Sequence, residues 1–191
     1  FESRGLGDVY KRQGAFYGPK IDLHVKDAIG RRWQLSTIQV DFAQPDNFDL
    51  QFVDSNNKRV KPVMIHRALL GSIERFTGIL IENYAGEFPG WLSPVQVKIL
   101  TIGDVSNYIN KITKSLKGFR YEVDDRNLRL GEKLHDASKD KVPITLIVGE
   151  KDELSNTLAI NIRSQENQQN VKYEDAIKQI KANLKTPIFK I

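Results

Sequence analysis

The 191-residue sequence contains no cysteine. Disulfide bonds and thiolate ligands to zinc are therefore excluded within this chain, and any metal site must use histidine, carboxylates or ligands from elsewhere. Long apolar runs are also missing, because none approaches the roughly 20 residues that a membrane span requires. The N-terminus lacks the basic, apolar and small-residue segments of a secretory signal. These absences fit a reducing compartment, and no membrane partner is expected.

The composition is otherwise that of a folded protein, with 40% hydrophobic and 28% charged residues. The length allows one to two domains of about 100 residues each. The net charge of +5 lies mostly in residues 92–191, which hold 17 Lys and Arg against 13 Asp and Glu. Such a surplus suits a polyanion, because Lys and Arg displace counterions from phosphates. An ordinary solvated surface is the more common explanation of so small an excess.

Three segments are predicted along the chain. Residues 1–13, beginning FESRGLGDVYKR, show neither helical nor strand periodicity and are interpreted as a non-native tail, with an ordinary flexible terminus as the alternative. Residues 85–94, AGEFPGWLSP, contain two prolines and two glycines, which is typical of a linker. We therefore place a domain boundary near Trp91, between domains at residues 14–90 and 91–191.

Hydrophobic periodicity predicts the elements of each domain. In the first, residues 32–42 and 62–70 read as strands, and apolar residues recur at helical spacing from Ile73 to Tyr84. In the second, strands alternate with helices, which predicts a mixed, largely parallel sheet covered by helices. The predicted strands of this domain are residues 95–102, 119–123, 142–149 and 157–163, and the predicted helices are residues 105–116, 130–137 and 176–184.

The segment PVMIHRALLGSIERF, residues 62–76, has a pattern that suits a ligand site. On a period of two, His66 and Ser72 lie on the same face of the strand. Ser72 can cap the following helix, and Arg75 falls in its first turn. A helix N-terminus offers free amides and a positive dipole to an anion, and an arginine adds a planar fork for phosphate oxygens. The segment therefore suits a triphosphate clamp.

A purely structural interpretation of the same segment is the more common one for isolated residues of these types. In it, Arg75 pairs with Glu74 or Glu82, and His66 is a hydrogen-bonded core histidine. Both interpretations remain open from the residues alone.

Two further stretches carry candidate residues. GAFYGPK, residues 14–20, forms a tight loop that presents Tyr17 and Lys20 to a ligand, although such loops also arise simply as turns. The strand WQLSTIQVDF contains three polar residues among apolar ones, and buried amides need partners from a ligand or from backbone. These polar residues are Gln34, Thr37 and Gln39.

The strand geometry sets a condition on these residues. Gln34 and Gln39 have opposite parity and point to opposite faces of a regular strand. Both can serve one site only if they meet different parts of it or if a β-bulge lies between them.

Taken in order, GAFYGPKID, WQLSTIQVDF and VMIHRALLGSIERF resemble the last part of the catalytic domain of threonyl-tRNA synthetases, including the third signature motif of class II aminoacyl-tRNA synthetases. The last 100 residues resemble the anticodon-binding domain of the same family more loosely. The resemblance implies an α+β fold over residues 14–90, the end of the antiparallel-sheet catalytic domain. An α/β anticodon-binding domain with a mixed sheet is implied over residues 91–191.

The same resemblance implies an activity and partners. These are ATP-dependent activation of threonine and its transfer to tRNA(Thr), by a cytoplasmic homodimer that binds Mg²⁺ with ATP. His66 is implied to be one of three protein ligands to a zinc ion that reads the amino and hydroxyl groups of threonine. The other implied site residues are Arg75 for ATP, Lys20 for the reacting phosphate and Gln34 for the nucleotide as the catalytic set, with Tyr17, Thr37, Gln39 and Ser72 binding substrate.

In the second domain, the segment DDRN ends at Asn127 and resembles the family's anticodon loop, with Lys133 on the following helix. Asp152 stands where the family usually has glutamate. Arg163 lies two residues after a position where arginine is common. The resemblance implies that Asn127, Lys133, Asp152 and Arg163 meet anticodon bases, whose exposed edges suit amide and charged side chains.

Two other functions remain open at this stage: a non-catalytic tRNA-binding module, and another class II synthetase of the prolyl or histidyl type. The segment HRALLGS favours the threonine enzymes, because the zinc-ligand histidine at that place belongs to them. The family's other two zinc ligands, a cysteine and a histidine, and its second motif belong to upstream sequence. We therefore expect the chain alone to be catalytically inactive.

Overall fold

The structure is a computed structural model that describes residues 18–187, and the chain divides into two units between Asn83 and Tyr84. In the first unit, β1, β2 and β5 form an antiparallel sheet in that order, and β3 and β4 form a small hairpin. The elements of this unit are β1 (Lys20–Lys26), β2 (Arg32–Asp41), α1 (Ala43–Asn47), β3 (Phe52–Val53), β4 (Arg59–Val60), β5 (Met64–Ala68) and α2 (Ile73–Tyr84).

The two faces of the first sheet differ in chemistry. One face carries polar side chains that are half-buried, whereas the apolar side chains of Ile21 and Ile65 on the other face are 62% and 63% exposed. Among the described residues of this unit, only Asp41 and Pro45 are buried. The polar face is therefore the more enclosed side of the sheet, which is unusual for an antiparallel sheet with one solvated face.

The second unit contains a five-stranded sheet in the order β10-β9-β8-β6-β7. Its strands β6 and β8 are buried along almost their whole length, as expected for strands with both faces covered. The elements are β6 (Val97–Ile102), α3 (Ser106–Ser115), β7 (Tyr121–Asp124), α4 (Leu130–Lys139), β8 (Ile144–Gly149), α5 (Glu150–Ser155), β9 (Thr157–Ile162), β10 (Gln168–Lys172) and α6 (Tyr173–Asn183).

A single core lies in the second unit and joins the sheet to α3 and α6. Ile99, Ile112 and Leu146 are fully buried in it, from β6, α3 and β8 respectively. Burial of this kind is the main driving force for folding, at about 25 cal/mol for each Å² of apolar surface. This core gives the loops at the ends of the strands a rigid support.

The predicted fold class is confirmed, since an antiparallel sheet is followed by a mixed sheet with helices. The expectation that the second sheet is largely parallel was wrong. β6 pairs in parallel with β7 and β8, but β8–β9 and β9–β10 are antiparallel. The reason is the short α5, which turns the chain straight back along β8 instead of crossing over the sheet.

Residues 85–94 are attached to the second unit through backbone carbonyls that accept hydrogen bonds from three cations. Lys141 and Arg163 bond the first part of the segment, and Arg120 bonds the last part. The distance from the Arg120 guanidinium to the Ser93 carbonyl oxygen is 2.7 Å. The domain boundary placed near Trp91 stays a prediction, and residues 1–13 lie outside the described part of the chain.

No helix within residues 18–187 is long and apolar enough to cross a membrane.

Candidate functional site

A β-bulge in β2 brings the predicted polar residues of the first unit to one face. Lys20 pairs with Gln39 and Leu23 with Ser36, but His24 pairs with Gln34, so the register slips by one residue. Leu35 is the extra residue of the bulge. Beyond the slip, the side chains of β2 that faced one side of the sheet face the other side. Gln34 and Gln39 therefore project from the same face, although their numbers have opposite parity.

The third strand adds the predicted zinc ligand to the same face. Gln39 pairs with His66 across β2 and β5, and Thr37 pairs with Ala68. Cross-strand partners point to the same side of a sheet. The face therefore carries five of the predicted site residues: Lys20, Gln34, Thr37, Gln39 and His66.

Asp22, which the sequence patterns did not indicate, lies at the centre of three of these residues. Its carboxylate accepts hydrogen bonds from Gln34 Nε2 and from Thr37 Oγ1, each at 2.6 Å, and forms an ion pair with Lys20 Nζ at 2.9 Å. Burial raises the pKa of Asp22, but the hydrogen bonds from Thr37 and Lys20 outweigh this effect, so the pKa lies below its ordinary value. The group is therefore a carboxylate at neutral pH.

His66 has a carboxylate partner. Its Nε2 atom lies 2.9 Å from Asp41 Oδ2, and the side chain of His66 is 40% exposed while that of Asp41 is 3% exposed. Asp41 also accepts the backbone N–H groups of Ala43 and Gln44, at 2.9 and 3.0 Å. The bond from Gln44 is the main reason that the pKa of Asp41 is lowered. His66 is thus a partnered but accessible histidine, not a core residue.

The start of α2 has the predicted cap. Ser72 Oγ accepts the backbone N–H of Arg75 at 3.1 Å. Gly71, just before it, has φ +67, and a Cβ there would lie 3.1 Å from the carbonyl oxygen of Leu35, the residue of the bulge. The positive φ and the close approach both favour glycine where the helix starts beside the bulged strand.

Arg75 does not form either of the ion pairs that the structural interpretation required. Glu82 pairs instead with Arg31, and within the described part of the chain neither Arg75 nor Glu74 takes part in an ion pair. The guanidinium of Arg75 is on an exposed residue in the first turn of α2. Tyr17, the remaining predicted residue of this site, lies outside the described residues.

A second candidate site lies in the second unit, where the carboxyl ends of β6 and β7 meet. A cavity of about 650 Å³ opens there, with Asn127 and Lys133 among its lining residues and Ile102, Val123 and Leu128 giving it an apolar part. In open α/β sheets, ligands bind outside the carboxyl ends of the strands, where this cavity lies.

Lys133 is 2% exposed, which is rare for a lysine. Its Nζ atom donates to the carbonyl oxygens of Thr101 at 2.8 Å and Asp124 at 3.0 Å. Thr101 and Asp124 lie at the carboxyl ends of β6 and β7, so the ammonium group links the two strand ends that border the cavity. Its role toward an anticodon stays a prediction.

The loop that carries Asn127 is fixed by an ion-pair network that the sequence patterns missed. Arg126 donates to both carboxylate oxygens of Asp124, at 2.8 and 2.6 Å, and to Asp136 at 2.8 Å. The bond from Arg126 lowers the pKa of Asp124, and the same contact raises the pKa of Arg126. The sequence signal for this network is the DDRN segment, in which Asp124 stands two residues before the oppositely charged Arg126.

The other two predicted anticodon residues lie at different places. Asp152 accepts the backbone N–H of Gly149 at 2.9 Å, and Gly149 pairs with Ile102, so Asp152 lies at the same end of the strands as the cavity. Arg163 follows β9 at the opposite end of the strands and donates to the carbonyl oxygens of Lys141, Glu87 and Phe88. The structure therefore does not bring Arg163 to the cavity.

Both units match known domain families. Residues 2–84 match the family described as tRNA synthetase class II core domain (G, H, P, S and T), and residues 96–183 match the family described as anticodon binding domain.

Curated relatives agree on one enzyme. A threonine–tRNA ligase of Clostridium tetani is 51% identical over an alignment of 167 residues that covers 84% of this chain and 26% of that protein. A threonine–tRNA ligase of Clostridium botulinum (strain Okra) is 46% identical over an alignment of 180 residues that covers 93% of this chain and 28% of that protein. The chain thus spans about a quarter of the length of these relatives.

Solved structures are similar as well. The RNA-binding domain of threonyl-tRNA synthetase from Cryptosporidium parvum aligns with a TM-score of 0.77 at 31% identity, covering 90% of this chain and 44% of that one. A putative threonyl-tRNA synthetase from Aeropyrum pernix aligns with a TM-score of 0.57 at 29% identity, covering 90% and 43%. The chain belongs to the class II aminoacyl-tRNA synthetases of the threonyl-tRNA synthetase family and corresponds to the end of their catalytic core followed by their anticodon-binding domain.

Proposed function

We propose that this chain supplies part of the aminoacylation site and the anticodon interface of a threonine–tRNA ligase, which activates threonine with ATP and transfers it to tRNA(Thr). One observation carries the proposal: the bulge at Leu35 aligns Lys20, Gln34, Thr37, Gln39 and His66 on one face. The names of the relatives, shared by proteins 51% and 46% identical to this chain, support the same activity.

The nucleotide side of the site uses Lys20, Gln34, Thr37 and Arg75. Lys20 provides a cation on the sheet, and Arg75 provides a second one at the start of α2, without a carboxylate that would compete for it among the described residues. Activation of an amino acid by ATP depends mainly on positioning and on charge stabilisation at the phosphates. Two cations suit that task, and Mg²⁺ would accompany ATP.

On the amino-acid side, His66 is the residue that would hold zinc. Its Nε2 faces Asp41, which leaves Nδ1 available, and a carboxylate on the far nitrogen is the usual support of a zinc-ligating histidine. Within residues 18–187, no group of three or more His, Cys, Asp or Glu could hold a metal, so the other ligands would lie outside them. When bound, zinc supplies a Lewis acid that distinguishes a hydroxyl from a methyl group.

Gln39 and Ser72 would contact threonine beside His66. Gln39 is the direct cross-strand partner of His66, so the two side chains project from neighbouring positions on the same face. Tyr17 belongs to this part of the proposal as a contact to the substrate amine.

The second unit would read the anticodon of tRNA(Thr). The cavity at the ends of β6 and β7 has an apolar part for a base and Asn127 among its lining residues, a combination that suits recognition of a single-stranded base. Asp152 and Arg163 stay predicted contacts of the same kind. A cytoplasmic homodimer is proposed for the whole enzyme.

The proposal is tested with a joined enzyme, in which the part of the Clostridium tetani relative that precedes the match is fused before residue 14 of this chain. We expect the joined enzyme to catalyse ATP–pyrophosphate exchange with threonine, and the chain alone to be inactive. Proline, histidine and valine serve as competing substrates in the same assay. A preference for proline or histidine would replace the threonine assignment with another class II synthetase.

The anticodon interface is tested with the chain itself. Filter binding should show affinity for tRNA(Thr) that falls with salt, and Asn127→Ala should weaken it about 10-fold, because one base contact is worth about 1–3 kcal/mol. Asn107→Ala, on an exposed position of α3 outside the cavity, is the matched control and should have no effect. Equal weakening by both variants would contradict a base contact at Asn127. Intact tRNA binding without exchange by the joined enzyme would favour a non-catalytic tRNA-binding module.

A further inference from the structure

Asp22 determines which atoms its neighbours can offer to a ligand. A carboxylate only accepts hydrogen bonds, so every polar atom in contact with it must donate. Gln34 therefore donates from its amide nitrogen to Asp22 Oδ1, at 2.6 Å, and Thr37 donates its hydroxyl hydrogen to the same oxygen. The amide oxygen of Gln34 and the lone pairs of Thr37 are left as acceptors.

Lys20, in contrast to Gln34 and Thr37, offers hydrogen-bond donors to a ligand. Its ammonium group uses one N–H on Asp22 Oδ2, at 2.9 Å, and retains two donors. The side chains of Lys20 and Asp22 are 26% and 24% exposed, so the pair is half-buried but reachable. The face thus offers two acceptors beside one cation, all fixed by a single residue.

We propose that Asp22 is a positioning residue that fixes the hydrogen-bond polarity of the nucleotide side, with acceptors at Gln34 and Thr37 for N–H or O–H groups and a cation at Lys20 for phosphate. The ligand class is a nucleotide, whose base amine or ribose hydroxyls donate and whose phosphate is anionic. This inference rests on the proposed function for the identity of the site. The arrangement of Lys20, Gln34 and Thr37 around Asp22 does not depend on it.

The closest alternative is that Asp22 only fastens β1 to β2. In that case its loss would lower stability and affect all substrates equally. A positioning role instead acts on the nucleotide alone, because Gln39 and His66, on the threonine side, make no hydrogen bond to Asp22.

Asp22→Asn is the informative change, since it keeps the shape but replaces one acceptor oxygen by an NH₂ group that only donates. The side chain can then no longer accept from Gln34 and Thr37 on one oxygen and from Lys20 on the other. In the joined enzyme we expect the KM for ATP to rise about 10-fold, the size typical for loss of a supporting contact, with the KM for threonine within about twofold of wild type. Asp54→Asn is the control, because within the described residues the Asp54 carboxylate accepts only backbone N–H groups of its own loop, from Asn56 and Lys58. Equal rises in both KM values, or no rise for ATP, would overturn the positioning role.

A second measurement on the 191-residue chain separates this inference from the proposed function. The side-chain NH₂ resonances of Gln34 should move in Asp22→Asn and stay in place in Asp54→Asn, as followed by ¹⁵N NMR. Unchanged Gln34 resonances would show that Asp22 does not fix the amide. If the wild-type joined enzyme has no threonine-dependent exchange, the proposed function fails, and the Gln34 resonances still decide the role of Asp22.

Discussion

Replacing His66 by alanine is expected to lower threonine-dependent exchange by the joined enzyme by more than about 100-fold. Loss of a residue that merely supports a metal ligand costs about 10–100-fold, so loss of a ligand itself should cost more. The reason for choosing His66 is its geometry: the imidazole is 40% exposed, it lies on the face that carries Gln39, and Asp41 occupies only its Nε2 atom. The measurement is ATP–pyrophosphate exchange, together with the zinc content of the purified enzyme.

The chain offers a matched control for this substitution. His24 lies on the same face of the sheet, paired with Gln34, but is exposed and has no proposed role. His24→Ala should leave both the exchange rate and the zinc content near those of wild type. If His66→Ala retains its zinc and most of its activity, the imidazole is not a ligand. A fall in zinc content with unchanged specificity for threonine over valine would refute the idea that the metal reads the hydroxyl group.

The sequence was most informative where hydrophobic periodicity was strong. VPITLIVG is apolar at nearly every position and forms the buried β8. Tyr108 and Ile112 form the buried face of α3, and Leu116, at the same spacing, is the buried residue just after its end. Both patterns report burial directly, and burial is what organises the second unit. β10 was missed because QQNVK is polar and lies at a sheet edge, where pairing is decided by β9 and not by its own residues.

The candidate site could be predicted in its residues but not in its arrangement. A bulge is a property of pairing between two strands, so β2 alone gave only the parity conflict between Gln34 and Gln39. Asp22 and Asp41 were overlooked for a related reason, since their importance comes from partners 12 to 25 residues away in sequence. Lys133 shows the limit most clearly: a charged residue on a helix indicates exposure, yet this one is 2% exposed because two strand ends supply carbonyl oxygens.

Replacing Leu146 by alanine is expected to destabilise the second unit by about 3 kcal/mol. Leu146 is fully buried on β8 and pairs with Ile99 on one side and Ile160 on the other, both of which are also buried. Removing a buried leucine side chain loses its transfer free energy and leaves a cavity, because close-packed neighbours relax only partly. A domain of this size has about 5–15 kcal/mol of stability in all, so the loss is a large share of it.

The matched control is Leu154→Ala, since Leu154 lies on α5 in the same unit and is 88% exposed. The same atoms are deleted, so the difference between the two variants isolates burial, and the control should change stability by less than about 0.5 kcal/mol. Because the chain has two units, a single unfolding midpoint is not well defined, and native-state hydrogen exchange of the β6 and β8 amides is the suitable measurement. Equal protection in the two variants would mean that β8 is not part of a close-packed core. The cavity beside Asn127 would then lose its rigid support, since it opens at the ends of the strands that this core holds together.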